Sequence, residues 1–362
     1  MNTLIAPPRA NAHTARGLSI IELMVGLVVG LLVSLAAVSS AQYFTAAQRQ
    51  GIGVGGGAAN TASALASIKN DVANGGLGFF GNLGYLCTKL NLSVNASVVA
   101  DNANFAPVQV TRVGSNDVLD IMYGSDVAAG AAVKTSGTSD GSTVTLMNYL
   151  PVTQGQQVLL ASPNVGTPCL LRTVTATPAA PTVDVKESLT FNAGGQYNQG
   201  IFTVNPTYPE SSLVTLIGTP QWNRYSVNGG TLQMTRVLDG TTSTLLRNVL
   251  AFHVEYGVSA AATVATDGSR SPLVLPWQKA TAADWASIDQ TNILRIKAVR
   301  IGIVMRSAQR EKVNKETNQC EASTSKPTLF GDEIEPDVAD WRCYRYRTQI
   351  VIAPLRNIIY GL

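Results

Sequence analysis

The sequence predicts an α+β protein: one long N-terminal helix packed on an antiparallel β-sheet, with an enlarged, loop-rich β head. Three observations lead there. An uncharged apolar run follows a basic N-terminus, an amphipathic segment continues it, and short alternating strands separated by turn-forming residues fill the rest of the chain. Composition agrees with an exported β-rich protein rather than a cytosolic helical enzyme, with only 14% charged residues and 32 glycines. The net charge of +3 is too small to announce a nucleic-acid-binding surface.

The N-terminal element divides at its start. Residues 1–17 carry Arg9 and Arg16, no acid, and the helix-incompatible pair Pro7-Pro8. The apolar run extends from Leu18 to Phe44, and no charge occurs from Leu23 through Gln48. As a helix this uncharged stretch measures about 39 Å, enough to cross a hydrocarbon core of about 30 Å. The flanking arginines stay on the cytoplasmic side, which sends the C-terminal bulk outward. A secretory signal cut within Ser34–Ala41 is the alternative, but the run is roughly double the usual apolar core of such a signal.

Glu22 is the anomaly in the run. A carboxylate there costs a few kcal/mol of insertion energy unless it has a partner. A cut between Gly17 and Leu18 would create that partner, an α-amino group close to Glu22 on its own or a neighbouring helix. The carboxylate would also sit near the positive end of the helix dipole.

Arg16-Gly17-Leu18-Ser19-Ile20-Ile21-Glu22 resembles the class III signal of type IV pilins and pseudopilins. The resemblance implies a 1–17 leader removed by a prepilin peptidase at Gly17–Leu18. It also implies N-methylation of Leu18 and an assembly role for Glu22, which docks the subunit in the filament. Two departures are visible: Leu18 stands where the family usually has Phe, and the leader is longer than in most major pilins. On this reading residues 18–47 form the transmembrane and assembly helix, 48–76 the amphipathic half of the same helix, and 77–362 the exported β-rich head.

Leu65, Ile68 and Val72 give that second half its apolar stripe, with Lys69, Asn70 and Asp71 between them. Gly51-Ile52-Gly53-Val54-Gly55-Gly56-Gly57 separates the halves, and a cost of up to about 1 kcal/mol per glycine predicts local melting or a kink. Asn74-Gly75-Gly76 supplies a helix stop, and Gly78-Phe79-Phe80-Gly81 resembles the turn after the helix in PilW-family minor pilins.

Strands are predicted in the head at Val118–Tyr123, at Gly155–Ser162, and at Leu170–Val174 just after Cys169. Trp222–Val227 and Thr231–Leu238 flank Asn228-Gly229-Gly230 as a hairpin, followed by strands at Ala251–Tyr256, Leu294–Met305 and Tyr344–Ile352. Residues 124–143 and 175–200 read as long surface loops. The ending also resembles the PilW family: a buried strand, a cysteine-bearing insertion, a Tyr/Arg strand, then Leu355-Arg356-Asn357.

Enzymatic chemistry finds little to work with. His13 falls in the leader, and His253 alternates with core residues in a strand, as a solvent-facing or satisfied histidine would. Cys87, Cys169, Cys320 and Cys343 contain no CxxC pair, and in an exported head they read as two disulfides. Of three pairings, Cys87–Cys169 and Cys320–Cys343 join sequence neighbours; the second would contribute about 3 kcal/mol by closing a short polar loop. Asp332, Glu333, Glu335, Asp337 and Asp340 are a weak candidate calcium site without EF-hand spacing. Arg295, Lys297, Arg300, Arg306, Arg310, Arg342, Arg345 and Arg347 read as a salt-bridged sheet face rather than a nucleic-acid surface.

No cofactor is expected. The resemblance implies a structural protein, a PilW-family minor pilin that primes pilus assembly and sits at the tip, supporting adhesion or twitching motility. Its implied partners are the prepilin peptidase, other minor pilins, the major pilin, the inner-membrane assembly platform and a tip adhesin. Before assembly the head would lie in the periplasm of a Gram-negative cell, and afterwards on the surface pilus. The alternatives are a J-type minor pseudopilin of a type II secretion system and, from another class, a membrane-anchored binding protein.

Overall fold

The computed structural model describes residues 20–81, 84–125, 132–164, 166–182, 185–260, 273–282, 284–286, 288 and 290–357. It divides into two units, Met1–Gly57 and Ala58–Leu362. Helix α1 (Ile20–Asn74) enters both. It is helical without a break through the glycine run, so the expected melting at 51–57 does not occur. The physical reason is propagation: helix already nucleated on both sides extends at much lower cost than a new start.

Gly76, at φ 80, ends the helix in the left-handed region that favours glycine. The strands follow in chain order: β1 (Phe80–Gly81), β2 (Gly84–Tyr85), β3 (Lys89–Val94), β4 (Ser97–Asn104), β5 (Val108–Val113) and β6 (Asn116–Ser125). Next come β7 (Ala132–Lys134), β8 (Thr143–Thr145), β9 (Gln157–Ala161), β10 (Cys169–Thr173), β11 (Ser188–Thr190) and β12 (Leu213–Leu216). The expected hairpin is β13 (Thr219–Asn228) and β14 (Thr231–Arg236), and β15 (Thr242–Arg247) and β16 (Val249–Ser259) continue from it. The chain closes with β17 (Leu273–Lys279), α2 (Gln290–Arg295), β18 (Ile296–Arg306), β19 (Thr328–Leu329), β20 (Asp332–Glu333) and β21 (Tyr346–Pro354).

Three sheets carry the head. Their orders are β4-β3-β10-β9-β12-β7, β15-β14-β13-β6-β5 and β17-β16-β18-β21. Pairing is antiparallel except between β3 and β10, which run parallel. The stretches expected to be loops hold the short strands β7 and β11, and Leu294-Arg295 belongs to α2 rather than to the strand that follows.

The largest core cluster collects Leu65, Ile68 and Val72 of α1 with Leu119 and Ile121 of β6, Phe252, Val254 and Tyr256 of β16, and Ile301 and Ile303 of β18. The helical stripe therefore packs where its periodicity predicted. Two sheets are also joined by polar groups. Among the described residues β17 pairs with β16 only from Glu255 onward, and side chains meet the earlier edge amides of β16. The Asn116 Oδ1 accepts from the Phe252 amide at 2.7 Å, and the Asp117 Oδ2 from the Val254 amide at 2.8 Å. The Val110 amide donates to the Tyr256 hydroxyl at 2.7 Å. Buried backbone groups are satisfied in this way without a continuous ladder.

Candidate functional site

The first described turn of α1 contains Glu22, while Gly17 and Leu18 lie outside the described residues. From Ile20 to Ala41 the mean hydropathy is 2.5, and none of this stretch is buried. Such a surface is unstable in water and suits hydrocarbon. Its hydroxyls bond to their own helix: Ser34 Oγ to the Gly30 carbonyl at 2.7 Å, Ser39 Oγ to the Ala36 carbonyl at 2.9 Å, and Ser40 Oγ to the same carbonyl at 2.6 Å. No hydroxyl there depends on water.

Glu22, Gly26, Gly30 and Ser34 recur at every fourth position and so share one helical face. A Cβ added at Gly26 or Gly30 would meet nothing within 4 Å. The face combines a carboxylate with small residues that let another helix approach closely.

Within the head unit, the C-terminal part of α1 is held by Asp71. Its carboxylate accepts hydrogen bonds from the Tyr123 hydroxyl at 3.0 Å, the Asn223 Nδ2 at 2.7 Å and the Tyr225 hydroxyl at 2.5 Å. Burial, reinforced by the neighbouring Asp71 carboxylate, pushes both phenols well above the usual tyrosine range. They therefore remain donors at neutral pH. The sequence reading placed Asp71 among the polar spacers. Its spacing of i+3 from Ile68 and i+7 from Ala64, both buried, was the available signal that it borders the packed face.

The end of the helix has a second lock. Asn357 Nδ2 donates to the carbonyls of Asn74 and Gly75, each at 3.0 Å. The Asn74 carbonyl also accepts from the Leu77 amide at 3.0 Å, so Asn357 adds to the turn that closes the helix. The Leu355-Arg356-Asn357 ending thus contributes a long-range cap.

Both disulfides join sequence neighbours, Cys87 to Cys169 and Cys320 to Cys343, with Cα–Cα distances of 5.6 and 4.7 Å. The first ties the segment before β3 to β10, beside the Cys169–Leu90 parallel register. The second closes the loop that carries β19 and β20.

The carboxylates of the acidic segment sit in ion pairs. Lys279 pairs with Asp332 at 2.6 Å, Lys326 with Glu333 at 3.1 Å and with Glu335 at 2.7 Å, Arg306 with Asp337 at 2.7 Å, and Arg310 with Asp340 at 2.6 Å. Glu333 and Glu335 share Lys326 while the other three carboxylates each meet a different cation, and no metal-binding cluster occurs among the described residues. Arg300 is paired with Glu255 and stacks on Trp277 and Phe330, and Arg345 is paired with Glu311. Arg300, Arg306, Arg310 and Arg345 thus sit in ion pairs, Arg295 and Arg342 lie over indole rings, and Lys297 Nζ donates to the Leu294 carbonyl at 2.7 Å. His253 Nε2 lies 2.9 Å from the Ser115 carbonyl, a structural contact beside the turn that opens β6.

No match is found among curated proteins. Among solved structures, a type IV-like pilin from Thermus thermophilus is similar at 8% identity and a TM-score of 0.30, covering 83% of this chain and 96% of that chain. Residues 219–357 match the family model described as type IV pilus-assembly protein W. That segment runs from β13 through β21 to Asn357, the residue that caps α1. The match of residues 219–357 to the type IV pilus-assembly protein W family thus falls on the C-terminal part of a head that follows an exposed apolar helix.

Proposed function

We propose that this protein is a minor type IV pilin that primes assembly of the pilus and enters the filament at its tip. The observation that carries the reading is the fully exposed apolar stretch Ile20–Ala41 with Glu22 in its first turn. In lipid an unpartnered carboxylate is costly, so Glu22 seeks a cation. Cleavage at Gly17–Leu18 supplies one as the α-amino group of Leu18 on a neighbouring subunit. The small face at Gly26 and Gly30 lets two such helices come close enough for the pair to form.

Before assembly, residues 18–47 hold the subunit in the inner membrane with residues 77–362 in the periplasm. Residues 48–76 carry the head on the helix. Afterwards the helix is buried among other pilins, and adhesion or twitching motility follows from the filament. The enzyme acting on the chain is a prepilin peptidase, and the chain itself is structural. Its further partners are other minor pilins, the major pilin, the assembly platform and a tip adhesin.

The test is intact mass and N-terminal sequencing of the protein from membranes containing a prepilin peptidase. The expected mature chain begins at N-methyl-Leu18. A start near Gln42, or an uncut Met1, overturns the reading in favour of a membrane-anchored binding protein. Glu22→Ala is expected to leave cleavage intact and to lower incorporation into sheared pili.

A further inference from the structure

Among the described residues strand β21 is the outer strand of its sheet, and its unpaired edge has sharp limits. The Leu355 amide donates to the Lys297 carbonyl at 2.9 Å, and the Ser307 amide to the Arg345 carbonyl at 2.8 Å. With these bonds at the two ends, antiparallel alternation directs the amides and carbonyls of Thr348, Ile350 and Ile352 away from β18. At the N-terminal end the edge is closed by the disulfide loop, because Ser323 Oγ donates to the Tyr344 carbonyl at 2.7 Å. At the other end Pro354 has no amide to offer. Between them lies a window of one short strand.

The window has the character that edge strands normally avoid. Ile350 and Ile352 are 53% and 52% exposed, and no charge occurs from Thr348 through Ala353. The opposite edge of the same sheet, β17, carries Pro276 and Lys279, and the outer strand β5 carries Arg112. Such proline and charged residues block edge-to-edge pairing, and the β21 window lacks both.

We propose that this window pairs with the same window of a second copy of the chain, antiparallel and centred on Ile350. The choice of a second copy rests on self-complementarity. In that register Ile350 opposes Ile350 and each Thr348 opposes the partner copy's Ile352. Arg347 opposes Ala353, so no like charges meet, and Tyr346 opposes Pro354, where the ladder stops. Every outward amide of Thr348, Ile350 and Ile352 then gains a carbonyl. With one short strand from each copy, the contact is small and reversible.

Full-length protein in detergent, examined by sedimentation velocity over a range of concentrations, tests this. Wild type is expected to associate reversibly into dimers. Ile350→Lys places two ammonium groups opposite each other on an exposed side chain and is expected to weaken association about tenfold or more. Mixing Ile350→Lys with Ile350→Glu is expected to restore it. Ile350→Cys is expected to cross-link with itself on oxidation, since Cα atoms of such a directly opposed pair lie about 5.5 Å apart. A wild-type protein that stays monomeric overturns the proposal. So does a dimer that persists unchanged in Ile350→Lys, because that contact would lie elsewhere, for example between apolar helices. Circular dichroism of each variant separates lost pairing from lost fold.

Discussion

The Asp71 carboxylate sits 2.5 Å from the Tyr225 hydroxyl and is the acceptor of that hydrogen bond. One residue of the helix thereby meets a strand more than a hundred positions downstream. Tyr123 and Asn223 reach the same carboxylate, so three donors depend on one side chain. Asp71→Ala is expected to destabilise the head by about 3 kcal/mol, because it strands polar groups in a partly buried site. Tyr225→Phe should cost about 1–2 kcal/mol. A double-mutant cycle read by urea denaturation should show strong coupling between the two; additive losses would mean that the contact contributes little.

Alkaline pH is the second test of this region. Burial is the main cause that holds Tyr123, Tyr208, Tyr225 and Tyr256 above the ordinary phenol range. A folded-state value raised above the unfolded one contributes stability that is complete below the unfolded pKa, about 10 for tyrosine, and is lost as pH rises toward the folded value. The urea midpoint should therefore fall steadily above about pH 10. Phenolate absorbance from these side chains should appear together with unfolding rather than before it.

Asn357 is nearly buried and donates to two carbonyls at the end of α1. Asn357→Ala should cost about 1–2 kcal/mol, with faster amide exchange in the last helical turn as the local signature. Asn357→Asp should be no better, since a carboxylate cannot donate to the Asn74 and Gly75 carbonyls.

The disulfides should differ in weight. Cys87–Cys169 closes a sequence separation of 82 and Cys320–Cys343 one of 23. Loop-closure entropy makes these worth about 4–5 and about 3 kcal/mol. Replacing Cys87 and Cys169 by Ala should therefore lower the unfolding midpoint of the head more. Replacing Cys320 and Cys343 should act mainly on the 320–343 loop, read as proteolysis within it.

The packed face at Ile68 gives a plainer measure of how the helix is held. Ile68→Ala should cost about 2–5 kcal/mol, because Ile68 is fully buried in the main core. Lys69→Ala, on the exposed side of the same turn, should change stability by less than about 0.5 kcal/mol.

Much of this architecture is legible in local order alone. The uncharged run with Glu22 inside it, the stripe Leu65, Ile68 and Val72, and the alternation in β16, β18 and β21 are properties of neighbouring residues. Periodicity and solvation preference act over one or two turns of chain, so these elements announce themselves. Strands β3 and β4 did not, because their pairing shifts register at Leu90/Leu92 and Leu92/Ser93, and bulges erase the period-two signal. Only the tertiary structure decided which distant partner each group finds. It turned Asp71 from a polar spacer into an anchor, spread the acidic segment over four cations, Lys279, Arg306, Arg310 and Lys326, and set Asn357 on the helix end. Among the described residues it also left the edge of β21 unpaired between Ser323 and Pro354. Those outcomes depend on long-range pairing in three dimensions, where competition among many donors and acceptors, rather than spacing along the chain, selects the contact.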